Sequence, residues 1–477
     1  MTPARILTAI VAAGALAAVL AYLASGVRVL ADPEDLRAFY CAGKVVALRQ
    51  DPYLTEPLRS CEVRETRAMG LAPYARLALP APLPGFALVP FALLSLLPFA
   101  TVSALFVLLL LAALSETALL VRKLAAVPLA GIFVALMLSD GWISLLNGQI
   151  VPFALLALCA SAVAISRGNA LRASAYALLA SIEPHIALPA CLALAYAFPK
   201  TRLPLALGAA ALAVVSLLAI GPQANLEYAL AVLPAHAHSE ISSGRQYSLT
   251  TLLFRSGAPA GVATLFGNLS YALLCVLGIA AGKRLSRSLE SPELLVLLPP
   301  AFALLGGPFV HLTQVAIAIP AIIVLSVRLP GQRAALGIAL TLVALPWEDL
   351  SENSLGLVLG LVAIVTLALA VLVWRAKPLA AGLTLAAMLT LGAVVKAYAA
   401  EFTGPRVDAA AALAAVPAGD HDLAETSWQT FVSATQGEDS RLYFARHLPT
   451  WAGLGLMVAI TLNAAWRRGG AGPAPSP

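Results

Sequence analysis

Apolar runs, most of about 17–25 residues, recur along the whole of this chain and decide what it can fold into. Ile6–Leu30 is the first. Phe99–Val121, Leu203–Ile220, Gly261–Gly282, Leu355–Trp374, Leu379–Ala397 and Leu448–Trp466 are the longest of those that follow. Only 11% of the 477 residues are charged, and 60% are hydrophobic, whereas a soluble protein carries about a quarter charged. A water-soluble core cannot hide that much apolar surface, so lipid must be the solvent for much of it. The expected fold is an all-α polytopic transmembrane protein.

Cutting the chain at Pro, Gly and charge gives roughly fourteen spans. The Ile6–Leu30 run is too long for the core of a signal peptide and more spans follow it, so it reads as a retained first helix. Pro84–Pro98, interrupted by Pro90, reads as a re-entrant or interfacial helix pair. Leu171–Ser181 and Ile186–Phe198 are short, with Glu183-Pro184-His185 between them.

The net charge of +6 does not indicate a nucleic-acid partner, because the basic residues sit in short clusters between apolar runs. Arg122-Lys123, Arg167 with Arg172, Lys200 with Arg202, Lys283-Arg284 with Arg287, Arg328 with Arg333, Arg375 with Lys377, and Arg467-Arg468 all fall on one side of the span map. The turns opposite hold Asp140, Glu183, Glu348, Asp349 and Glu352, without Lys or Arg. The positive-inside rule then predicts both termini in the cytoplasm of a bacterial-type cytoplasmic membrane. It puts two large loops, 31–82 and 398–447, outside. One membrane domain over 1–470 and a disordered cytoplasmic tail at 471–477 complete the plan. No internal repeat of the transporter kind is visible.

The first outer loop is the most informative. It contains Asp35-Leu36-Arg37-Ala38-Phe39-Tyr40-Cys41-Ala42-Gly43 and then Asp51-Pro52-Tyr53. Leu36–Leu48 has helical apolar spacing, which predicts a helix along the membrane surface pointing Asp35 into a cleft. An acid at such a place can equally be a solvated cap. Cys41 and Cys61 share this loop, and an oxidising compartment permits a bridge between them; two unpaired thiols are the alternative. Cys159, Cys191 and Cys275 lie within spans and read as packing residues. No Cys/His cluster has metal-ligand spacing, and His236 with His238 offers two ligands, so no metal is expected.

These first-loop residues resemble glycosyltransferase family 87 of the integral-membrane GT-C superfamily, which uses polyprenyl-phosphate-linked sugars. Further similar elements follow in family order: Pro80 to Pro98, Asn147-Gly148-Gln149, Gln246-Tyr247-Ser248-Leu249 and Pro308-Phe309-Val310-His311. Together they cover about residues 30 to 330. Two positions depart from the pattern: Glu183-Pro184 stands where Lys-Pro is frequent, and Val310 stands where an aromatic residue precedes the motif His.

The resemblance implies a GT-C-like fold and transfer of a hexose, mannose by preference, from a polyprenyl-phosphate donor to a lipid- or glycan-linked acceptor. Asp35 is the expected general base and inversion the expected outcome. Nucleotide sugars do not cross the membrane, so an outer transferase needs a donor that lipid can deliver. Its phosphate is already a fair leaving group, and one carboxylate acting on the acceptor hydroxyl suffices; a glycosidase would need two opposed carboxylates. Arg37, Tyr40, Lys44, Arg245, Gln246 and His311 are the candidates for donor phosphate or sugar contacts, with solvated loop charges or packing as the plainer reading. His311 would act by hydrogen bonding, or electrostatically if protonated. Glu183 and His185 are acceptor-path candidates that could pair with each other. In the second loop, Asp408, Asp420, His421, Asp422, Glu425, Trp428 and Tyr443 offer sugar-stacking or interfacial side chains, and the loop could close over the acceptor. No cofactor is implied. The rival readings are a lipid-linked-sugar flippase or transporter, whose ionisable groups should lie mid-span, and a non-catalytic assembly protein.

Overall fold

The computed structural model describes residues 33–71, 76–372, 378–401, 422–435 and 440–469, with 412–414, 416 and 419 between them. The expected first span at Ile6–Leu30, the 471–477 tail, and Asp408, Asp420 and His421 of the second loop lie outside those residues. The described chain is all-α, and its only β pairing is two isolated bridges.

In chain order the helices are α1 (Glu34–Ala47), α2 (Thr55–Ala68), α3 (Gly85–Leu94), α4 (Phe99–Ala125), α5 (Leu129–Leu136), α6 (Trp142–Asn147), α7 (Val151–Ser166), α8 (Ala170–Leu179), α9 (Pro184–Ala197), α10 (Pro199–Glu227), α11 (Leu233–Ser239), α12 (Leu249–Arg255), α13 (Ala260–Ser288) and α14 (Leu294–Ala303). Then come α15 (Ala318–Arg328), α16 (Arg333–Ala344), α17 (Trp347–Glu352), α18 (Leu355–Leu372), α19 (Pro378–Glu401), α20 (Ala424–Thr435) and α21 (Ser440–Gly469).

Among the described residues, five helical stretches are long and apolar enough to cross a membrane: Phe99–Ala125, Pro199–Ser239, Ala260–Ser288, Leu379–Glu401 and Arg441–Arg467. A sixth arises if Leu312–Arg328 and Pro330–Ala344, bent by 117° to each other, count as one span. The roughly fourteen spans read from apolar runs are therefore not all of membrane length. Several are helices of 10–17 residues, cut short by Pro and Gly. Pro84–Pro98, expected as a helix pair, holds one helix, α3, that tolerates Pro90 internally.

Lipid-facing and protein-facing helices differ in burial. Leu203, Leu207, Leu218, Leu226 and Leu230 point outward along α10 and the turn after it, a surface that suits hydrocarbon better than water. All of α14 is buried. Helix α10 breaks at Gly221, whose φ of 78° is one that residues with a Cβ avoid. A π-bulge at Tyr228–Val232 follows.

The first loop differs from its expected form. Helix α1 does not lie on the surface: Leu36 to Gly43, Val45 and Val46 are all buried. Glu34 and Asp35 in its first turn and Lys44 in its last suit the helix dipole. Its close partner is α3. A Cβ on Gly43 would lie 2.4 Å from the Phe91 carbonyl carbon, so only glycine lets the two backbones approach this closely. Phe39 meets Phe91 at 5.5 Å between ring centroids, and Tyr40 meets Phe99 at 5.2 Å. Cys41 and Cys61 are joined, with their Cα atoms 5.7 Å apart, and tie α1 to α2.

Asp51-Pro52-Tyr53 is a turn with a mechanism. The Tyr53 amide donates to Asp51 Oδ1 at 2.9 Å, and the buried Tyr53 hydroxyl donates to the Leu83 carbonyl at 2.8 Å. The same segment meets the start of α20: the Thr55 amide donates to the Asp422 carbonyl (2.8 Å) and the Ala424 amide to the Tyr53 carbonyl (2.9 Å).

Candidate functional site

A cavity of about 680 Å³ brings together Asp35, Glu183, His185, Arg245 and His311, five of the residues singled out from the sequence. They come from widely separated parts of the chain, and each is held by an identifiable local device.

Asp35 sits in the first turn of α1. Gln149 Nε2 donates to its Oδ2 at 2.6 Å. Gln149 is aimed there by Gly148, which ends α6 with φ 73°. A Cβ on Gly148 would stand 2.4 Å from Leu36 Cβ, so the turn abuts the first turn of α1. The Asp35 carboxyl keeps some contact with the cavity but is surrounded by protein. Burial, then the neighbouring Glu34 carboxylate, push its pKa from 3.8 up to about 7, with Glu240 adding to the rise and the Gln149 bond and Arg245 opposing it.

Arg245 and His311 are neighbours through backbone pairing. The Tyr247 amide donates to the Val310 carbonyl (2.7 Å), the Leu312 amide to the Arg245 carbonyl (3.1 Å), and the Val310 amide to Gln246 Oε1 (3.1 Å). Helix α21 fixes this pair of segments. The Tyr443 hydroxyl donates to the Gln246 carbonyl at 2.6 Å, and Trp451 Nε1 donates to the Tyr247 carbonyl at 3.0 Å. The Arg245 guanidinium lies 3.8 Å from Glu348, and its side chain retains 58% exposure, which leaves it able to meet a ligand.

His311 stands at the start of the 3-10 turn Leu312–Ile317. Burial, then the Arg245 charge, hold its pKa at about 3. At neutral pH it is therefore an uncharged imidazole. Its backbone N–H donates to Gln314 Oε1 at 2.9 Å, and Gln314 Nε2 donates to Glu183 Oε2 at 3.2 Å. Glu183 and His185 are 3.8 Å apart, an electrostatic contact too long for a hydrogen bond. His185, His236 and His311 surround the Phe309 ring at centroid distances of 5.9, 4.9 and 6.3 Å. Among the described residues no group of three or more His, Cys, Asp or Glu is arranged to hold a metal ion.

Four other candidates, Arg37, Tyr40, Lys44 and Gln246, do not line the cavity. Arg37 is 2% exposed, within the α1 packing. The Tyr40 hydroxyl donates to the Leu97 carbonyl at 2.9 Å, and Lys44 pairs with Glu65 at 3.0 Å. Gln246 is 1% exposed, with its side-chain oxygen bound to the Val310 amide. They are scaffold residues.

Gln314 and Glu240 are among the cavity residues that the sequence does not single out. Gln314 lies three positions after His311 and accepts from its amide, the Gln half of a capping box, but a His stands where the sequence signature has Ser or Thr. Glu240 has no pattern around it. It is buried, its pKa is raised by that burial, and it accepts a hydrogen bond from Trp428 Nε1.

The cavity lies at one end of α13, where Thr264 and Asn268 line it. At the other end, Lys283 covers the Tyr196 ring (3.9 Å) and Arg284 covers Trp466 (4.4 Å). Lys283 follows Thr264 by 19 positions, or about 28 Å of helix. The cavity and the basic cluster are thus separated by roughly the thickness of a bilayer core.

No family model, no curated protein and no solved structure matches this chain.

Proposed function

We propose that this protein is a membrane glycosyltransferase, in which the cavity binds a polyprenyl-phosphate sugar and transfers the sugar to an acceptor hydroxyl. The observation that carries this reading is the meeting of Asp35, Arg245 and His311 in one cavity. A carboxylate with a pKa of about 7 is well matched to take a hydroxyl proton near neutral pH, since a base works best when its pKa lies near the working pH. A guanidinium suits a phosphate by charge and geometry.

In this reaction the acceptor oxygen attacks the anomeric carbon as its proton passes to an Asp35 carboxylate oxygen. The bond from that carbon to the phosphate oxygen breaks, and the phosphate leaves with the electron pair toward Arg245. Displacement from the opposite face inverts the anomeric centre. Neutral His311 contributes a hydrogen bond to the phosphate or sugar. The Gln149 amide keeps Asp35 oriented in either protonation state. Mannose as the sugar, an outward-facing cavity and cytoplasmic termini belong to the same proposal; the separation of the cavity from the basic helix ends favours that sidedness.

The test uses purified protein, labelled polyprenyl-phosphate mannose and a crude lipid acceptor pool. Labelled product that is lost in Asp35→Asn supports the enzyme, and full activity in that variant refutes the role of Asp35. Movement of label across a vesicle membrane without product would favour the flippase.

A further inference from the structure

The wall of the cavity contributed by α20 has a composition that the transfer step does not explain. Trp428 and Phe431 line the cavity from this helix. They are one turn apart, on one face, with ring centroids 5.6 Å apart. Glu240 stands beside them, 6% exposed, and holds the Trp428 indole N–H. Glu240 and Asp35 line the same cavity, so this wall faces the space that holds the proposed base. The start of α20 is stitched to the first-loop segment through the Tyr53, Thr55, Asp422 and Ala424 backbone bonds, so the rings stand in a fixed position.

We propose that Trp428, Phe431 and Glu240 form a subsite for a neutral sugar ring of the acceptor. This rests on the reading of the cavity as a glycosyl-transfer site. A pyranose has C–H faces that lie against aromatic rings and several hydroxyls that a carboxylate can accept from. A plain lipid alcohol offers one hydroxyl, and in the proposed reaction that hydroxyl belongs to Asp35. Its alkyl chain would bring no donor to the Glu240 carboxylate beyond the Trp428 N–H that it already accepts from. A phosphorylated or acidic acceptor would bring like charge against Glu240. The remaining class is an uncharged glycoside, held by one aromatic wall and one carboxylate in the manner of a small-molecule pocket.

The test uses the full-length protein in lipid nanodiscs. Binding of mannobiose is measured by saturation-transfer NMR, independently of turnover. Transfer from labelled polyprenyl-phosphate mannose is measured onto octyl α-mannoside and onto dodecanol. The expected result is mannobiose binding that falls about tenfold in Trp428→Ala and is largely kept in Trp428→Phe, which preserves the stacking face. Glu240→Gln should raise the KM for octyl mannoside with less effect on kcat, and dodecanol should be a poor acceptor throughout.

Mannobiose binding that is absent, or unchanged in Trp428→Ala, overturns the subsite. So does transfer of equal efficiency to both acceptors. If Trp428→Ala fails to fold, Phe431→Ala with the binding readout decides in the same way. Mannobiose binding that depends on Trp428, with no transfer to any acceptor, would sink the transferase reading and leave the sugar site standing. Asp35-dependent transfer with no effect of Trp428 or Glu240 would do the reverse.

Discussion

Asp35→Asn should abolish transfer and at the same time stabilise the protein, and the two effects can be measured separately. A rise in pKa from 3.8 to about 7 means that the folded protein favours the neutral acid. At about 1.36 kcal/mol per unit, the charged form costs the fold up to about 4 kcal/mol. The sign follows from proton binding. Between pH 3.8 and about 7 the native state binds more protons at this site than the unfolded chain, so its contribution to stability falls as pH rises through that window. Asn carries no charge, and its side-chain oxygen can still accept from Gln149 Nε2. At about pH 8 the variant should be more stable by roughly 2–4 kcal/mol; the gap should fall by more than half at about pH 5 and close near pH 4. Thermal unfolding in one detergent at several pH values reads this as a several-degree gain that shrinks on acidification. In the wild type, kcat/KM should rise with unit slope below about pH 7 and level off above it. A variant no more stable at high pH than at low pH would refute the buried-charge argument, and unimpaired transfer would refute the base.

The sequence makes the all-α class legible for a simple reason: apolar runs of membrane length allow few alternatives. The span count was less legible. A run such as Leu294–Leu305 has spanning hydropathy, but α14 is a ten-residue helix buried throughout. Hydropathy does not distinguish a short helix packed in protein from one passing through lipid. Helix α1 shows the same limit. Its apolar positions suggested one buried face, yet Gly43 and Ala42 let a neighbour approach on another side. Small residues are weakly apolar on any scale and report close packing only once the partner is known.

Site residues were legible where charge was rare. Asp35, Glu183, His185, Arg245 and His311 stand out against an apolar background, and all five reach the cavity. Arg37, Tyr40 and Lys44 share helix α1 with Asp35 but do not reach the cavity, because successive positions on a helix fan out by about 100°. Motif adjacency thus overstated their part. Glu240 shows the opposite error. Its importance comes from Trp428, 188 positions away, and no local pattern encodes that meeting.

Three further perturbations probe the framework around Asp35. Arg245→Gln should raise the donor KM by about tenfold or more, with Arg245→Lys intermediate, because a lysine keeps the charge but loses the guanidinium fork; equal kinetics for all three proteins would remove Arg245 from the phosphate site. Cys41→Ser should cost about 3 kcal/mol by the loop-entropy estimate for a link of this length. The link spans a separation of 20 residues, and a thermal unfolding temperature unchanged by both reductant and mutation would show that it does not constrain the chain. Gly148→Ala tests the Asn147-Gly148-Gln149 turn, and here two penalties combine. A φ of 73° costs a residue with a Cβ about 1–2 kcal/mol. The new methyl would also stand 2.4 Å from Leu36 Cβ, which forces a backbone shift worth about 1–3 kcal/mol. Relief can come only from moving α1 or the turn, and either movement lengthens the bond from Gln149 to Asp35. Activity should therefore fall by more than the loss of folded protein accounts for. Activity per folded molecule equal to wild type would mean that Gln149 does not position the base.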